Sequence, residues 1–170
     1  MADYSFVTTW RFRAPIERVW EAIRDYSSWP SWWPAIAAAR QIAPGDATGL
    51  GEIVEFTFRT RLPYRLRFMI TTIRVTPPTD LEGRAVGELE GTGRWRLTAE
   101  GEGTLVQYFW NVRTTRWWMN LLAPLARPAF AWNHDQVMES GRAGLSRRLA
   151  RAAPAAAESR PAAEPNPGGG

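Results

Sequence analysis

His134 is the residue of this sequence best suited to proton transfer, and it is the only histidine of the chain. An imidazole changes charge within the physiological pH range, so a histidine that faces a cavity could act as a general acid or base. Tyr108 is the best candidate for a hydroxyl group that assists it. The alternative is structural, with His134 as a hydrogen-bonded core residue that fixes a helix against a sheet. Neither interpretation is excluded by the sequence.

The composition excludes several other kinds of catalytic centre. The 170 residues include no cysteine, so the chain has no disulfide, no thiol nucleophile and no thiolate ligands for zinc. With a single histidine as well, we expect no metal site and no cofactor. Asp135 is not expected to complete a catalytic triad with His134, because neighbouring side chains on a helix point about 100° apart.

Aromatic residues are abundant, with ten tryptophans and seven phenylalanines. Rings at this frequency indicate a core or a cavity that is walled by large side chains. These side chains could stack on a flat ligand or pack against one another. The predicted ligand-binding residues are Phe56, Phe58, Phe68, Trp95, Tyr108 and Trp110 on strands, with Phe130, His134 and Met138 on the last helix.

A long amphipathic helix is predicted to present His134. Its apolar stripe follows steps of three and four residues and comprises Phe130, His134, Val137, Met138, Gly141, Leu145 and Leu149. Pro128 suits the first helical turn, where the missing N–H costs nothing. A helix over 128–150 would be about 33 Å long, which is enough to cross a sheet. The apolar segment 117–125 is expected to form a separate turn or two of helix.

The remaining segments predict strands. Residues 4–13 alternate between apolar and polar positions, and six further strands are predicted between 35 and 113. Two short helices lie between the first strand and the others. Their aromatic end is expected to anchor helix against sheet, rather than to form a cavity lid or an exposed patch; its tryptophans are Trp29, Trp32 and Trp33.

The spacing of the strands is about 8–12 residues, which is typical of an antiparallel sheet. We therefore predict an α+β fold in which a curved, seven-stranded antiparallel sheet is covered by the long helix, with a tapering cavity between them. One predicted strand, 81–89, contains Gly83, Ala85 and Gly87. Such small residues suggest either free space beneath the strand or a bend in it.

This order of elements resembles the helix-grip fold of the START-like (Bet v 1-like) superfamily, also called SRPBCC. Within it, the chain looks like the bacterial polyketide cyclase/dehydrase-like branch. The features that support the resemblance are Trp-Pro-Ser-Trp-Trp-Pro at 29–34, Leu-Pro-Tyr at 62–64, Gly-Thr-Gly-Arg-Trp at 91–95 paired with Gly-Thr-Leu-Val at 103–106, and Trp-Asn-His-Asp-Gln-Val-Met-Glu-Ser-Gly at 132–141. The resemblance implies a helix-grip domain over 1–151, and residues 152–170, rich in Pro, Ala and Gly, are predicted to be a disordered tail.

The resemblance implies binding, and possible transport, of an apolar small molecule such as a lipid or a polyketide or aromatic compound. The cavity between the sheet and the last helix would hold it. The alternative is a polyketide aromatase/cyclase or dehydratase that uses His134 as general acid/base, with Tyr108 as a possible donor; whether the chain is an enzyme stays open. A third hypothesis is an interaction module, in which the segment containing Trp117 and Trp118 contacts a membrane surface or a dimer partner.

The charge and hydropathy patterns narrow the choice of partners. The net charge is +4, the chain has no lysine, and its arginines are scattered singly along the predicted strands rather than clustered. Nucleic-acid binding is not expected, because it needs a concentrated basic patch. No apolar run reaches the ~18 residues of a membrane span, and no signal peptide is recognisable, so the expected location is cytoplasmic. The expected partner is a hydrophobic small molecule, and the oligomeric state is left open.

Overall fold

The strands and helices follow the predicted order. The computed structural model describes residues 3–59, 65–115 and 117–152, with the side chains of 117–127 excepted. The strands β1 to β7 span Asp3–Phe12, Ile36–Ala43, Ile53–Arg59, Arg65–Thr76, Asp80–Gly87, Leu89–Glu100 and Gly103–Thr114. The helices α1 to α3 span Ile16–Arg24, Trp29–Trp32 and Trp117–Arg151, and a 3-10 turn at Tyr26–Ser28 lies between α1 and α2.

All seven strands form one curved sheet in the order β1-β7-β6-β5-β4-β3-β2. Each neighbouring pair is antiparallel, and β1 joins the last strand to become an edge of the sheet. An antiparallel sheet needs one covered face, and α3 supplies the cover together with the shorter helices. The predicted α+β helix-grip architecture is therefore confirmed.

The inward face of the sheet is aromatic because large residues alternate with polar ones along the strands. On β1, Tyr4, Phe6 and Thr8 are half-buried and Trp10 and Phe12 are buried, whereas the residues that alternate with them are exposed. Trp10 packs edge-on against Phe12, with ring centroids 5.9 Å apart. The period of two along β1 thus places one row of rings towards α3 and α1.

Helix α3 is longer than predicted, because it begins at Trp117 and not near Pro128. The predicted break between 117–125 and the long helix is wrong. Both Pro124 and Pro128 lie inside one helix of 35 residues, which is about 52 Å long at 1.5 Å per residue. Each proline removes one backbone donor, so the sequence pattern favoured a break that the fold does not make.

The predicted strand 81–89 corresponds to β5, which ends earlier, at Gly87, because the next strand already begins at Leu89. Gly87 has a φ of 136°, which is accessible to glycine and strained for other residues. Gly83 provides no free space, because a Cβ there would lie 2.4 Å from Cγ2 of Ile70. The small residues of this strand therefore mark a bend and a close contact.

The three tryptophans at the aromatic end of the short helices anchor helix against helix and sheet, as predicted. Trp29, Trp32 and Trp33 are all buried. The indole N–H of Trp33 donates to the carbonyl oxygen of Val137 in α3 at 2.8 Å. Gly144 allows the close approach, because a Cβ at that position would lie 1.7 Å from the carbonyl oxygen of Trp32.

A partly buried ion pair connects α1 to the residue that precedes β3. Arg24 donates from Nη1 to Oε2 of Glu52 at 2.8 Å, and Gln41 donates to Oε1 of the same carboxylate at 2.7 Å. Because the carboxylate of Glu52 is satisfied on both oxygens, its burial is compensated.

Two predictions, the turn at 62–64 and the disordered tail beyond residue 152, lie outside the described residues.

Candidate functional site

A cavity of about 120 Å³ lies between α3 and the inward face of the sheet. Twenty of the described residues line it, and most of them are aromatic or aliphatic. All nine of the predicted ligand-binding residues are among them: Phe56, Phe58, Phe68, Trp95, Tyr108, Trp110, Phe130, His134 and Met138. The structure thus brings these side chains together around one space, while their role in binding stays a prediction.

The cavity also has lining residues that sequence reasoning did not assign to a site. They are Tyr4, Phe6, Trp29, Trp33, Leu66, Ile70, Leu89, Val112, Thr114, Asn133 and Val137. The alternation of β1 already placed Tyr4 and Phe6 on the inward face. What the pattern could not show is that edge strand β1 runs beneath the middle of α3, which follows only from its pairing with β7.

Paired rings form the walls of the cavity. Phe58 and Phe68 stack with centroids 5.4 Å apart and an interplanar angle of 10°, on neighbouring strands β3 and β4. Trp95 and Tyr108 stack at 4.1 Å on β6 and β7. Since Trp95 and Tyr108 are directly opposite in the strand register, the antiparallel pairing itself sets their contact. The walls are therefore held by the sheet and present ring surfaces to the space between them.

His134 enters the cavity from α3 and stacks on Phe6 of β1, with ring centroids 4.1 Å apart and an interplanar angle of 12°. Its side chain is 12% exposed. Among the residues whose side chains are described, neither ring nitrogen has a hydrogen-bond partner. The structural interpretation requires a hydrogen bond that fixes His134. The described part of the chain provides no partner for such a bond.

Asp135 faces outwards as predicted, with a side chain that is 77% exposed. Its carboxylate nevertheless approaches the imidazole, with 3.6 Å between Oδ1 and Nδ1 of His134. This distance is an electrostatic contact and is too long for a hydrogen bond. Burial lowers the pKa of His134 below its usual value of 6.5, and the Asp135 carboxylate opposes that shift only in part. The imidazole is consequently neutral at pH 7.

Tyr108 presents its phenol to the same cavity from β7. Burial raises the pKa of Tyr108 well above its usual value of 10, with a smaller contribution from Tyr26, so the hydroxyl stays protonated. Gly93 on β6 leaves room for this hydroxyl, because a Cβ there would lie 2.6 Å from the phenol oxygen. The phenol and the imidazole are the two titratable groups of the predicted site, and both are uncharged at neutral pH.

Among the residues whose side chains are described, those that line the cavity include no aspartate, glutamate or arginine. The polar groups of the described cavity wall are instead hydroxyls, an amide and the neutral imidazole, contributed by Tyr4, Tyr108, Thr114, Asn133 and His134. Such a surface can bury an uncharged ring and offer it a few hydrogen bonds, but it cannot compensate the charge of an ion.

Over residues 3–59, 65–115 and 117–152, no group of three or more histidine, cysteine, aspartate or glutamate side chains could hold a metal ion. Within the same ranges, no helix is both long enough and apolar enough to cross a membrane.

The fold and the site define a helix-grip protein with an aromatic interior cavity. A family model described as polyketide cyclase/dehydrase and lipid transport matches residues 4–157, and the chain belongs to this family. The match covers most of the chain, including every described element from β1 to α3. No curated protein sequence matches the chain.

Several solved structures are similar in fold. The protein TTHA0849 from Thermus thermophilus has a TM-score of 0.76 at 18% identity, covering 88% of this chain and 99% of that chain. The Zhui aromatase/cyclase from a Streptomyces species has a TM-score of 0.75 at 15% identity, covering 92% and 99%. A START superfamily protein from Mycobacterium smegmatis has a TM-score of 0.72 at 14% identity, covering 87% and 98%. At these identities the likeness establishes the fold alone.

Proposed function

We propose that this protein binds an apolar, aromatic small molecule in the cavity between α3 and the sheet. The observation that supports the proposal is the space of about 120 Å³ left among stacked rings, at a place where a purely structural core would be filled. Interiors normally pack to the density of organic crystals, so an unfilled apolar space of this size costs stability that a ligand would recover.

The volume favours a small ring over a lipid or a folded polyketide. Pockets for drug-sized ligands usually measure roughly 300–1,000 Å³. An apolar cavity of roughly 150 Å³, in contrast, is known to stay dry and to bind benzene. A cavity of about 120 Å³ therefore matches a single aromatic ring in the described conformation. A long acyl chain would require α3 to move away from the sheet.

A cavity-filling substitution tests the proposal with toluene as the probe. Leu66 lines the cavity, and Leu66→Trp should fill part of it and weaken toluene binding by about tenfold or more. The matched control is Leu50→Trp, because Leu50 is exposed in a loop and should leave the affinity unchanged. Calorimetry on the full chain measures both. Equal toluene affinity in both variants would assign binding to another site, and no binding to the wild type would refute the proposal.

A second candidate function is cyclisation or dehydration of a poly-β-ketone, with His134 as general acid/base. It is supported by the neutral imidazole without a described hydrogen-bond partner and by the Tyr108 phenol on the same cavity. General acid/base catalysis is typically worth 10²–10⁴-fold, so His134→Gln should lower turnover by about 100-fold or more. Product analysis by mass spectrometry measures it, with Glu139→Gln at an exposed position of the same helix as the control. Unchanged turnover in His134→Gln would remove this candidate.

A further inference from the structure

We propose that His134 is the specificity-determining residue of the cavity and that it selects neutral, single-ring aromatic ligands bearing a hydroxyl group that donates a hydrogen bond. This inference rests on the proposed binding function and deepens it by naming the ligand class. It concerns one atom, Nε2 of His134, and the chemistry that this atom requires from a bound molecule.

The ring edge of His134 is the part available to a ligand. One face of the imidazole is covered by Phe6, whose ring lies almost parallel to it at 4.1 Å. A polar contact must therefore be made in the plane of the ring, where the two nitrogens lie. Both nitrogens are buried, and neither has a hydrogen-bond partner among the residues whose side chains are described. Leaving a buried polar atom unpaired costs about 1–3 kcal/mol, which a ligand hydrogen bond would recover.

The neighbouring carboxylate distinguishes the two nitrogens. Oδ1 of Asp135 lies 3.6 Å from Nδ1 of His134, so a proton on Nδ1 is favoured electrostatically. In a neutral imidazole the other nitrogen is then an acceptor. Nε2 is thus a buried acceptor that has no partner among the described side chains. A ligand that donates a hydrogen bond would satisfy it. A hydroxyl supplies that donor, whereas a carbonyl or an ether does not.

The other described polar groups of the cavity differ from Nε2 of His134, because each of them carries a donor as well as an acceptor. Tyr4, Thr114 and Asn133 each take part in further interactions of their own. Tyr108 keeps its proton, and its hydroxyl can either donate or accept, so it does not discriminate between ligand types. The described lining residues also include no arginine, aspartate or glutamate, so none of them would compensate the charge of a buried carboxylate or ammonium ligand. The ligand is therefore neutral.

Phenol and toluene form a matched pair for the test, because they have the same size and differ in the hydroxyl. The dissociation constants of both are measured by calorimetry on the full-length wild type, His134→Phe and Tyr108→Phe. We expect His134→Phe to weaken phenol binding about tenfold while toluene binding changes by less than about threefold. Tyr108→Phe should affect the two ligands equally. Benzaldehyde, which only accepts hydrogen bonds, should respond to His134→Phe as toluene does.

Equal changes for phenol and toluene in His134→Phe would overturn the inference, and so would a phenol-specific loss in Tyr108→Phe. Binding of toluene without any dependence on His134 would leave the proposed function intact. Failure of the wild type to bind either ligand would instead refute that function.

A second measurement needs no variant, because His134 is the only histidine of the chain. Nitrogen-15 NMR of the wild-type imidazole should show an unprotonated Nε2 whose resonance shifts with phenol and not with toluene. A protonated Nε2, or equal shifts with both ligands, would contradict the assignment. This readout decides the question even if His134→Phe does not fold.

Discussion

Two stretches of helix α3 cover the same sheet in opposite ways. In the glycine stretch, at Gly141 and Gly144, the helix lacks side chains where Trp33 and Trp32 approach it most closely. In the histidine stretch, from Phe130 to Met138, the helix carries side chains, yet a space of about 120 Å³ remains beneath them. Glycine is expected to loosen packing, but here the glycine stretch is the filled one.

The difference indicates that the two stretches of α3 have different structural roles. The glycine stretch fixes the position of α3 through a backbone contact and through the hydrogen bond from Trp33 to Val137. The histidine stretch contacts the sheet through stacked rings, such as His134 on Phe6 and Phe130 against Tyr4. We infer that the first stretch anchors the helix and that the second leaves space for a ligand. Substitutions in the two stretches should therefore have different effects on stability.

Gly144→Ala should have the largest effect. The new Cβ would lie 1.7 Å from the backbone oxygen of Trp32, so α2 and α3 must separate. We expect a loss of about 2–4 kcal/mol in the free energy of unfolding, despite the higher helix propensity of alanine. Denaturant titration measures it. The control is Ala150→Gly at an exposed position near the end of the same helix, with an expected loss below about 1 kcal/mol, because glycine has its full cost only in a helix interior. A gain of stability in Gly144→Ala would show that α2 does not pack against α3 at Gly144.

Trp33→Phe should have the next largest effect. It removes the indole donor to the carbonyl of Val137 and leaves a gap in a buried stack, so we expect a loss of about 2 kcal/mol. Trp132→Phe is the matched control, since Trp132 is 47% exposed and should change stability by less than about 0.5 kcal/mol. Thermal and denaturant unfolding compare the two. Equal losses of stability in the two variants would mean that the contact between Trp33 and Val137 does not stabilise the fold.

His134→Leu should raise stability by about 1 kcal/mol, because it replaces unpaired buried nitrogens with an apolar side chain. This result would be opposite to that expected for a structural, hydrogen-bonded histidine. Denaturant unfolding measures the change, and Met138→Ala is a comparison, with an expected loss of about 2–5 kcal/mol at a buried position on the same helix. A clear loss of stability in His134→Leu would restore the structural interpretation.

The pH dependence should be the smallest effect. Burial lowers the pKa of His134 in the folded protein, so the unfolded chain binds a proton more readily as the pH falls below about 6.5. The folded state therefore loses stability as the pH falls from about 6.5 towards the lowered pKa, and His134→Leu should not show this loss. Unfolding curves between about pH 7.5 and pH 5.5 provide the comparison. Parallel pH profiles for the two proteins would contradict a buried neutral imidazole.

Most of the fold could be predicted because alternation along the strands reports directly on burial. The inward row of β1 from Tyr4 to Phe12 is an example. The start of α3 could not be predicted, since Pro124 and Pro128 are local signals for a break and only tertiary packing overrides them. The anchoring role of Gly144 was also hidden, because a glycine inside a helix indicates weakness until its partner in space is known.

The residues around the cavity were predictable for the same reason, as strand phase and helix stripe select the same side of each element. Phe68 and Met138 are examples from the two walls. The volume of the cavity was not predictable, since it depends on how far α3 lies from the sheet. Neither was the environment of His134, because the stacking of Phe6 and the approach of Asp135 follow from side-chain positions in the folded chain.

The most direct test of the central claim is a crystal structure determined in the presence of bromobenzene, with the bromine located by anomalous scattering. We predict an anomalous peak inside the cavity, in contact with rings of the sheet such as Phe68 and Trp95 and beneath His134 of α3. An interior in which these rings close on one another, with bromine absent from it, would contradict the claim that the histidine stretch of α3 leaves space for an aromatic ligand.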